Sequence, residues 1–236
     1  MRKRGFQYVM YTILTIVLLV ALLTFQTLRW VYGYHVDSLE KPWLWETRTL
    51  EISIDVISTI FALFTFIRKG RKKILDRDNI MIIFFILLFT GNLLYSGLDI
   101  KAVGIVFYFL AFCAVPFFWK VSIVEIIVRV VLLVGAPFLS YLTNGNHFSF
   151  LHIMSVELAQ LVFVNLVFAI INYIKKKDLY SLFLFVCILL AFFANAFICL
   201  RSVVTFSKLL KNIFAILVWP FYVSELLFLN HLYRKY

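Results

Sequence analysis

The sequence predicts an all-α integral membrane protein, an eight-helix transmembrane bundle that forms one domain over residues 1–236. Of its residues, 64% are hydrophobic and only 15% are charged, and the mean hydropathy is +0.98. A soluble domain carries roughly 45–50% apolar and ~25% charged residues, so this chain has more apolar surface than a water-facing globule can bury. The composition excludes a secreted disulfide scaffold, a disordered tail and a nucleic-acid binder.

Apolar stretches separated by short polar segments define the individual helices. One crossing of the hydrocarbon core needs about 20 residues at a rise of 1.5 Å per residue. Short breaks at Asp99 to Lys101, at Lys120 and at Lys208 to Lys211 predict that helices three to five and the last pair are tight antiparallel neighbours. The predicted helices cover about 8–28, 49–67, 79–98, 102–119, 121–142, 150–173, 179–200 and 211–232.

The first apolar run follows a basic start, as a signal peptide would. From Tyr8 to Leu28 it is longer than a signal-peptide core, and no small-residue cleavage site closes it. We therefore expect it to be retained as a permanent helix.

The distribution of lysines and arginines predicts the orientation. If the N-terminus is cytoplasmic, seven cations lie at the outer helix ends and Arg129 lies within a helix. Because cytoplasmic loops carry an excess of Lys and Arg, the chain is expected to be a multi-pass protein of the cell membrane with both termini inside. The other 15 of 23 cations lie in the inner segments: Arg2, Lys3, Arg4, Arg68, Lys69, Arg71, Lys72, Lys73, Arg77, Lys120, Lys175, Lys176, Lys177, Arg234 and Lys235.

Cysteine and histidine residues give no sign of a metal or cofactor site. Cys113, Cys187 and Cys199 are an odd number, all lie in apolar helices, and none belongs to a CxxC pair. No two of the four histidines are four residues apart, so no pair is spaced to bind a metal from one helix face. We expect the cysteines to be small buried apolar residues, and we predict neither metal nor cofactor.

Polar residues within the membrane are costly, at about 2.5–3.5 kcal/mol for an ionised group at mid-membrane, and therefore carry the functional information. Five of them lie at one depth, roughly 3–11 Å from the outer boundary at 1.5 Å per residue. Since they come from four helices, they predict one hydrated pocket that opens outward. Two alternatives to a shared pocket remain. Glu51 and Asp55 could simply lie at the membrane interface, where water reaches them, and Asn92 and Asn195 could form interhelical hydrogen bonds. The five are Glu51, Asp55, Asn92, Glu157 and Asn195.

A deeper layer contains the only arginine within a predicted helix. Glu125 and Arg129 are four residues apart with the acid first, the favourable order for an ion pair on one helix. Glu225 lies roughly 20 Å from the outer end of its helix and could join them. We predict a structural ion pair of Arg129 with Glu125 or Glu225 that ties helix five to helix eight; a proton or ion relay is the alternative.

Three short motifs resemble a known family. They are Thr90 to Leu94, followed by Gly104, Tyr108, Ala111 and Phe112; Ala194 to Ile198; and Pro220 to Leu227. Together they are similar to the third, fourth, seventh and eighth helices of YhhN-type lysoplasmalogenases. The length and the helix count agree with that family. The resemblance implies a membrane-embedded enzyme that hydrolyses the vinyl ether bond of a lysophospholipid, with membrane lipids as its surroundings and partners.

The chain departs from the family pattern at the positions to which the resemblance assigns the catalytic chemistry. It has Asn92 and Asn195 where the family has acids, Phe112 where it has His, and Glu225 where it has Gln. Vinyl ether hydrolysis needs a proton donor and an activated water, which suits carboxyl groups, whereas asparagine orients water without exchanging a proton. Either other acids have taken over this role, or the protein has lost hydrolysis and kept lipid binding.

These considerations define the candidate site and its alternatives. Asp55, Glu157, Asn92 and Asn195 are the predicted catalytic residues, and Glu51 and Gln160 are predicted to bind substrate. A small-molecule or lipid transporter, or a binding subunit of one, is the alternative, although the prolines at 42, 116, 137 and 220 do not mark a pair of broken helices. A sensory protein is disfavoured because no loop is long enough for an output domain.

Overall fold

The structure, a computed structural model, describes residues 2–35, 44–69, 77–143, 145, 147, 149–202 and 207–236, and all regular structure in these ranges is helical. Eight helices are long and apolar enough to cross a membrane, so the predicted all-helical bundle with eight candidate spans is confirmed for the described ranges. The helices are α1 (Arg2–His35), α2 (Leu44–Lys69), α3 (Arg77–Asn92), α4 (Lys101–Ala114), α5 (Ile123–Thr143), α6 (Phe150–Lys176), α7 (Leu179–Ser202) and α8 (Lys208–Lys235).

Two helices are shorter than the hydropathy pattern predicts, because each ends in a different helical form. α3 continues as a π-helical turn over Leu93–Gly97, and α4 continues as a 3-10 turn over Val115–Phe118. By contrast, α1 and α8 extend past the predicted apolar stretches at both ends, since polar flanking residues continue the backbone hydrogen bonding. The last predicted break falls inside α8, which begins at Lys208 and is capped by the Ser207 hydroxyl.

Pro116 explains the change of form in α4. It has no backbone N–H, so the Phe112 carbonyl loses the donor that an α-helix would supply four residues later. The side chain of Asn165 on α6 donates to this carbonyl at 3.0 Å. Asn165 is fully buried, and its hydrogen bond joins α6 to α4 where the α4 backbone changes form.

Seven helices form a closed ring, and α5 lies outside it. Neighbours around the ring are α1, α2, α3, α4, α6, α7 and α8, and α8 closes back onto α1 and also contacts α2. Within the described ranges, α5 packs against α6. The expected tight pairs α3/α4 and α7/α8 are present, whereas α5 packs on α6 and not closely on α4 as the short break at Lys120 had suggested.

A close approach of α3 to α4 depends on two glycines. A Cβ on Gly104 would lie 2.7 Å from the Tyr95 backbone nitrogen and 2.9 Å from the Gly91 carbonyl oxygen, too near for any side chain. A Cβ on Gly91 would lie 3.3 Å from the Tyr108 ring. The turn between the two helices places Asp99 at φ 58, a left-handed conformation that aspartate tolerates better than most residues.

Candidate functional site

Four polar side chains from four helices meet inside the ring. Asp55 of α2, Asn92 of α3, Tyr108 of α4 and Tyr222 of α8 form a hydrogen-bonded group, here called the Asp55 cluster. At 1.5 Å per residue, its members lie roughly 8–21 Å from the end of the bundle at which the even-numbered helices begin. Asp55 is 2% exposed and Asn92 6% exposed, so the cluster is shielded from the surroundings.

The Asp55 carboxyl group accepts hydrogen bonds on both of its oxygens. The Tyr222 hydroxyl donates to Oδ1 at 2.6 Å, and the Asn92 amide Nδ2 donates to Oδ2. The same amide nitrogen donates to the Tyr222 oxygen at 2.9 Å, while the Asn92 carbonyl accepts from the Tyr108 hydroxyl. Both ends of the Asn92 amide are therefore used, and the carboxyl is held in one orientation.

The irregular end of α3 and the two glycines position these groups. Asn92 is the last α-helical residue before the π-helical turn, in which Leu98 N–H donates to the Leu93 carbonyl at 2.8 Å. Such turns often occur at functional sites because they shift side chains relative to a regular helix. The close α3/α4 approach at Gly104 brings the Tyr108 hydroxyl, one turn later on α4, within reach of Asn92.

Two further acids lie near the Asp55 cluster. Glu225 is 2% exposed, follows Tyr222 by three residues on α8 and interacts electrostatically with Asp55. Glu51, one turn from Asp55 on α2, accepts a hydrogen bond from the Gln26 amide at 3.4 Å and also interacts with Asp55. Two carboxyl groups, one from α2 and one from α8, thus act electrostatically on Asp55.

Of the residues predicted to share one pocket, the structure brings together Asp55 and Asn92, with Glu51 one turn away. Glu157 and Gln160 line a separate cavity between α4, α5 and α6. The Asn195 amide donates to the Ala191 carbonyl of its own helix at 2.8 Å. Among the described contacts, Glu157 and Asn195 therefore do not join Asp55 and Asn92 in the expected hollow between helices two, three, six and seven, and helices two, three, four and eight supply the cluster.

Arg129 forms its ion pair within α5. Its Nη2 lies 2.6 Å and its Nε 3.2 Å from Oε1 of Glu125. The other Glu125 oxygen accepts from the Trp119 indole at 3.0 Å, and Ser122 caps the helix by accepting from the Glu125 backbone N–H at 3.2 Å. Glu225 lies beside the Asp55 cluster instead, so the expected tie between helices five and eight is absent from the described contacts.

Tyr108 and Tyr222 are the site residues that sequence reasoning missed. Both lie inside the motifs on which the expected resemblance to the YhhN family rests, but neither was assigned a role. In a chain with 27 Phe and 12 Tyr, an aromatic residue in an apolar helix is most simply interpreted as packing. The spacing of Gly104 and Tyr108, four residues apart on one helix face, was the available signal, since a glycine at a close crossing places its neighbour one turn later against the partner helix.

The Asp55 cluster has the composition of an acid–base site. It contains a carboxyl group that can exchange a proton, an amide that orients it and two phenols that donate to it or to the amide. Among the described residues, no three His, Cys, Asp or Glu side chains are arranged to hold a metal ion.

Comparisons with known proteins add no further constraint. No protein-family model, no curated protein and no solved structure matches the chain. Its class is defined by its own fold and site: a multi-pass helical membrane protein with a buried, hydrogen-bonded carboxyl cluster inside the ring of helices.

Proposed function

We propose that the protein is a membrane-embedded hydrolase of the lysoplasmalogenase type and that Asp55 is its general acid. The observation that carries the proposal is the buried Asp55 carboxyl, held on both oxygens by Tyr222 and Asn92. Hydrolysis of a vinyl ether begins with transfer of a proton to carbon, for which a positioned carboxyl group is suited.

The hydrogen bond between Asp55 and Asn92 accounts for the chief departure from the YhhN pattern. Asn92 stands where the resemblance places an acid, and Asp55 reaches the same point from the neighbouring helix α2. In this proposal, α2 supplies the carboxyl group required for the chemistry, in contact with the α3 position where the resemblance implies an acid. This favours retained hydrolysis over a protein that only binds lipid.

The proposed reaction uses one carboxyl group and one water molecule. Asp55 gives its proton to the carbon of the double bond farther from the ether oxygen, leaving a cation stabilised by that oxygen. Water adds to the other carbon and returns a proton to Asp55. The hemiacetal then breaks its bond to the glycerol oxygen and yields an aldehyde and a glycerol hydroxyl.

Tyr222 and Asn92 are positioning residues in this proposal. Their N–H and O–H groups donate to the Asp55 oxygens and therefore stabilise the carboxylate that appears once the proton has left. Preorganised donors of this kind lower the barrier without reorienting during the reaction. Tyr108 acts one step further away by fixing the Asn92 carbonyl.

The proposed orientation follows the positive-inside bias, with both termini cytoplasmic and the chain in the cell membrane. The end at which the even-numbered helices begin then faces outward, and the Asp55 cluster lies in the outer half of the bundle. A single-chain lysophospholipid would enter from that leaflet with its headgroup at the interface.

Aldehyde release from a lysoplasmalogen in mixed micelles tests the proposal. The purified full chain should release aldehyde, and D55N should lower the rate by about 10²–10⁴-fold, the usual contribution of a general acid. E157Q is the matched control, because Glu157 is an acid within a membrane-spanning helix that lines the separate cavity outside the Asp55 cluster, and it should retain the full rate. The saturated ether analogue should not be cleaved by either protein.

Full activity in D55N, or loss of activity in E157Q, would contradict the assignment. Saturable binding without turnover by the wild-type chain would instead support a lipid-binding protein or a carrier. The observation that favours a carrier is the pair of buried acids Asp55 and Glu225 inside the bundle, since ionisable residues within membrane spans often mark transport pathways. Lipid flux in proteoliposomes would then be the deciding measurement.

A further inference from the structure

A second polar site lies on another face of α4. A cavity of about 150 Å³ is bounded by α4, α5 and α6. Phe109 of α4, Val130 and Leu133 of α5 and Leu161 of α6 give it apolar walls. Among the described contacts, α5 packs on α6 and not closely on α4. Val130 and Leu133 are 56% and 50% exposed, so the cavity lies at the outer surface of the bundle, the side that faces acyl chains when the helices span a membrane.

Two polar atoms of the lining residues have no hydrogen-bond partner within the described part of the chain. They are Nη1 of Arg129, a donor, and Oε1 of Gln160, an acceptor, and both are buried. Unpaired buried polar atoms are costly, so native structures rarely keep them unless a ligand or water completes them. Two at one cavity indicate a ligand that both accepts and donates a hydrogen bond.

The charges around the cavity select the kind of ligand. The Arg129 guanidinium is already paired with Glu125 at 2.6 Å, and Glu157 adds a second carboxyl at the cavity. An anionic headgroup would therefore meet Glu157 without a free positive charge to offset it. A cationic ammonium group cannot accept from Arg129, since it has no acceptor. A hydroxyl group carries no charge and can both accept and donate.

We infer that this cavity binds the hydroxyl end of a neutral, single-chain lipid such as a long-chain alcohol. At about 30 Å³ per water molecule, a volume of about 150 Å³ equals about five waters. That space holds a hydroxyl group and the first carbons of a chain, and the remainder of the chain lies in the bilayer. The site is separate from the Asp55 cluster and does not depend on the proposed hydrolysis.

Cys113 provides a native reporter for this site. Its half-buried thiol lines the cavity and interacts electrostatically with both Arg129 and Glu157, whereas Cys199 on α7 is exposed and does not line the cavity. The full chain in detergent is treated with N-ethylmaleimide at increasing mole fractions of 1-dodecanol. Mass spectrometry of the two peptides gives the modification rate of each cysteine. Dodecanol should slow the modification of Cys113 in a saturable way and leave the modification rate of Cys199 unchanged.

Matched variants test which atoms bind the alcohol. Q160M removes the unpaired acceptor without touching the Arg129 ion pair and should weaken protection of Cys113 by about tenfold, the loss expected for one hydrogen bond. V130W should abolish protection by filling the cavity. I127W is its control, because Ile127 and Val130 are both 56% exposed on α5 and Ile127 does not line the cavity.

The ligand class is tested with dodecanoate and dodecylammonium at the same mole fractions. Neither should protect Cys113 as dodecanol does. Equal protection by either ion, protection that survives Q160M and V130W, or no saturable protection by dodecanol would each overturn the inference. Aldehyde release by V130W and I127W should stay at the wild-type rate, which separates this site from the Asp55 cluster.

Discussion

The Asp55 cluster and the cavity between α4, α5 and α6 share one helix, α4. They differ in whether their polar atoms have hydrogen-bond partners. In the cluster, the Asn92 amide and both Asp55 oxygens are hydrogen-bonded to side chains of other helices. At the cavity, Arg129 Nη1 and Gln160 Oε1 have no partner in the described ranges. Tyr108 belongs to the first site, and its neighbour Phe109 belongs to the second.

This difference separates two ways of keeping polar groups in a membrane. A cluster satisfied by its own side chains is preorganised, so its geometry exists before any ligand arrives. A cavity with an unused donor and acceptor gains those hydrogen bonds only on binding. The first arrangement suits a catalytic group that must not move, and the second suits the recognition of a ligand.

Removing the charge of Arg129 should give the largest effect. R129M leaves the Glu125 carboxylate buried without a cation, and breaking a buried ion pair in this way costs about 3–5 kcal/mol. Adding E125Q should restore most of this stability, because the neutral amide can still accept from the Trp119 indole. Unfolding in mixed detergent micelles measures both variants. Equal stability of R129M and wild type would remove the structural role assigned to this pair beside the cavity.

A direct comparison of the two polar sites comes from N92L and Q160L. Leucine at position 92 leaves Asp55, Tyr108 and Tyr222 without their common partner and should lower the free energy of unfolding by about 2–3 kcal/mol. Leucine at position 160 removes an acceptor that is already unpaired, so the same measurement should show no loss or a small gain. The distinction between the sites fails if both variants are destabilised equally.

The close α3/α4 crossing is tested by G104A against G135A. The added methyl group at position 104 meets the Tyr95 backbone and should cost about 1–3 kcal/mol, the usual range for overpacking. Because the two helices must separate, Tyr108 should also lose its contact with Asn92, and the rate of aldehyde release should fall with stability. Gly135 on α5 has open space around it, so G135A should be neutral or slightly stabilising. Wild-type stability and activity in G104A would show that this approach does not position the cluster.

Hydropathy predicted the depth of the polar residues but not the side of the helix bundle on which they lie. Asp55, Asn92, Glu157 and Asn195 are at similar depths along their helices, as counted from the sequence. Their lateral positions depend on which helices are neighbours, and that order places α5 outside the ring and α4 against α6. No pattern within a single helix records that order.

Local pairs were easier to predict than contacts between helices. The structure places Glu125 and Arg129 together because residues four apart on one helix are neighbours whatever the surroundings. The contact between Asn92 and Tyr222 spans 130 residues and depends on how α3 and α8 pack. The consequences of Pro116 could be predicted in part. The sequence shows that Pro116 has no N–H to donate to the Phe112 carbonyl, but it does not show that the Asn165 side chain donates to that carbonyl instead.

The smallest effect is expected at Asn195, which sequence reasoning grouped with Asn92. Its amide donates only to the Ala191 carbonyl of its own helix, within the described contacts, and that carbonyl belongs to the regular helix ladder. N195A should therefore change the free energy of unfolding by less than about 0.5 kcal/mol, as substitutions away from buried networks usually do. Its control is N165A, which removes the buried interhelical hydrogen bond from the Asn165 amide to the Phe112 carbonyl and should cost about 1 kcal/mol. An effect of N195A as large as that of N92L would show that Asn195 contributes to the buried polar network and that similar depth, as the sequence suggested, does reflect a shared site.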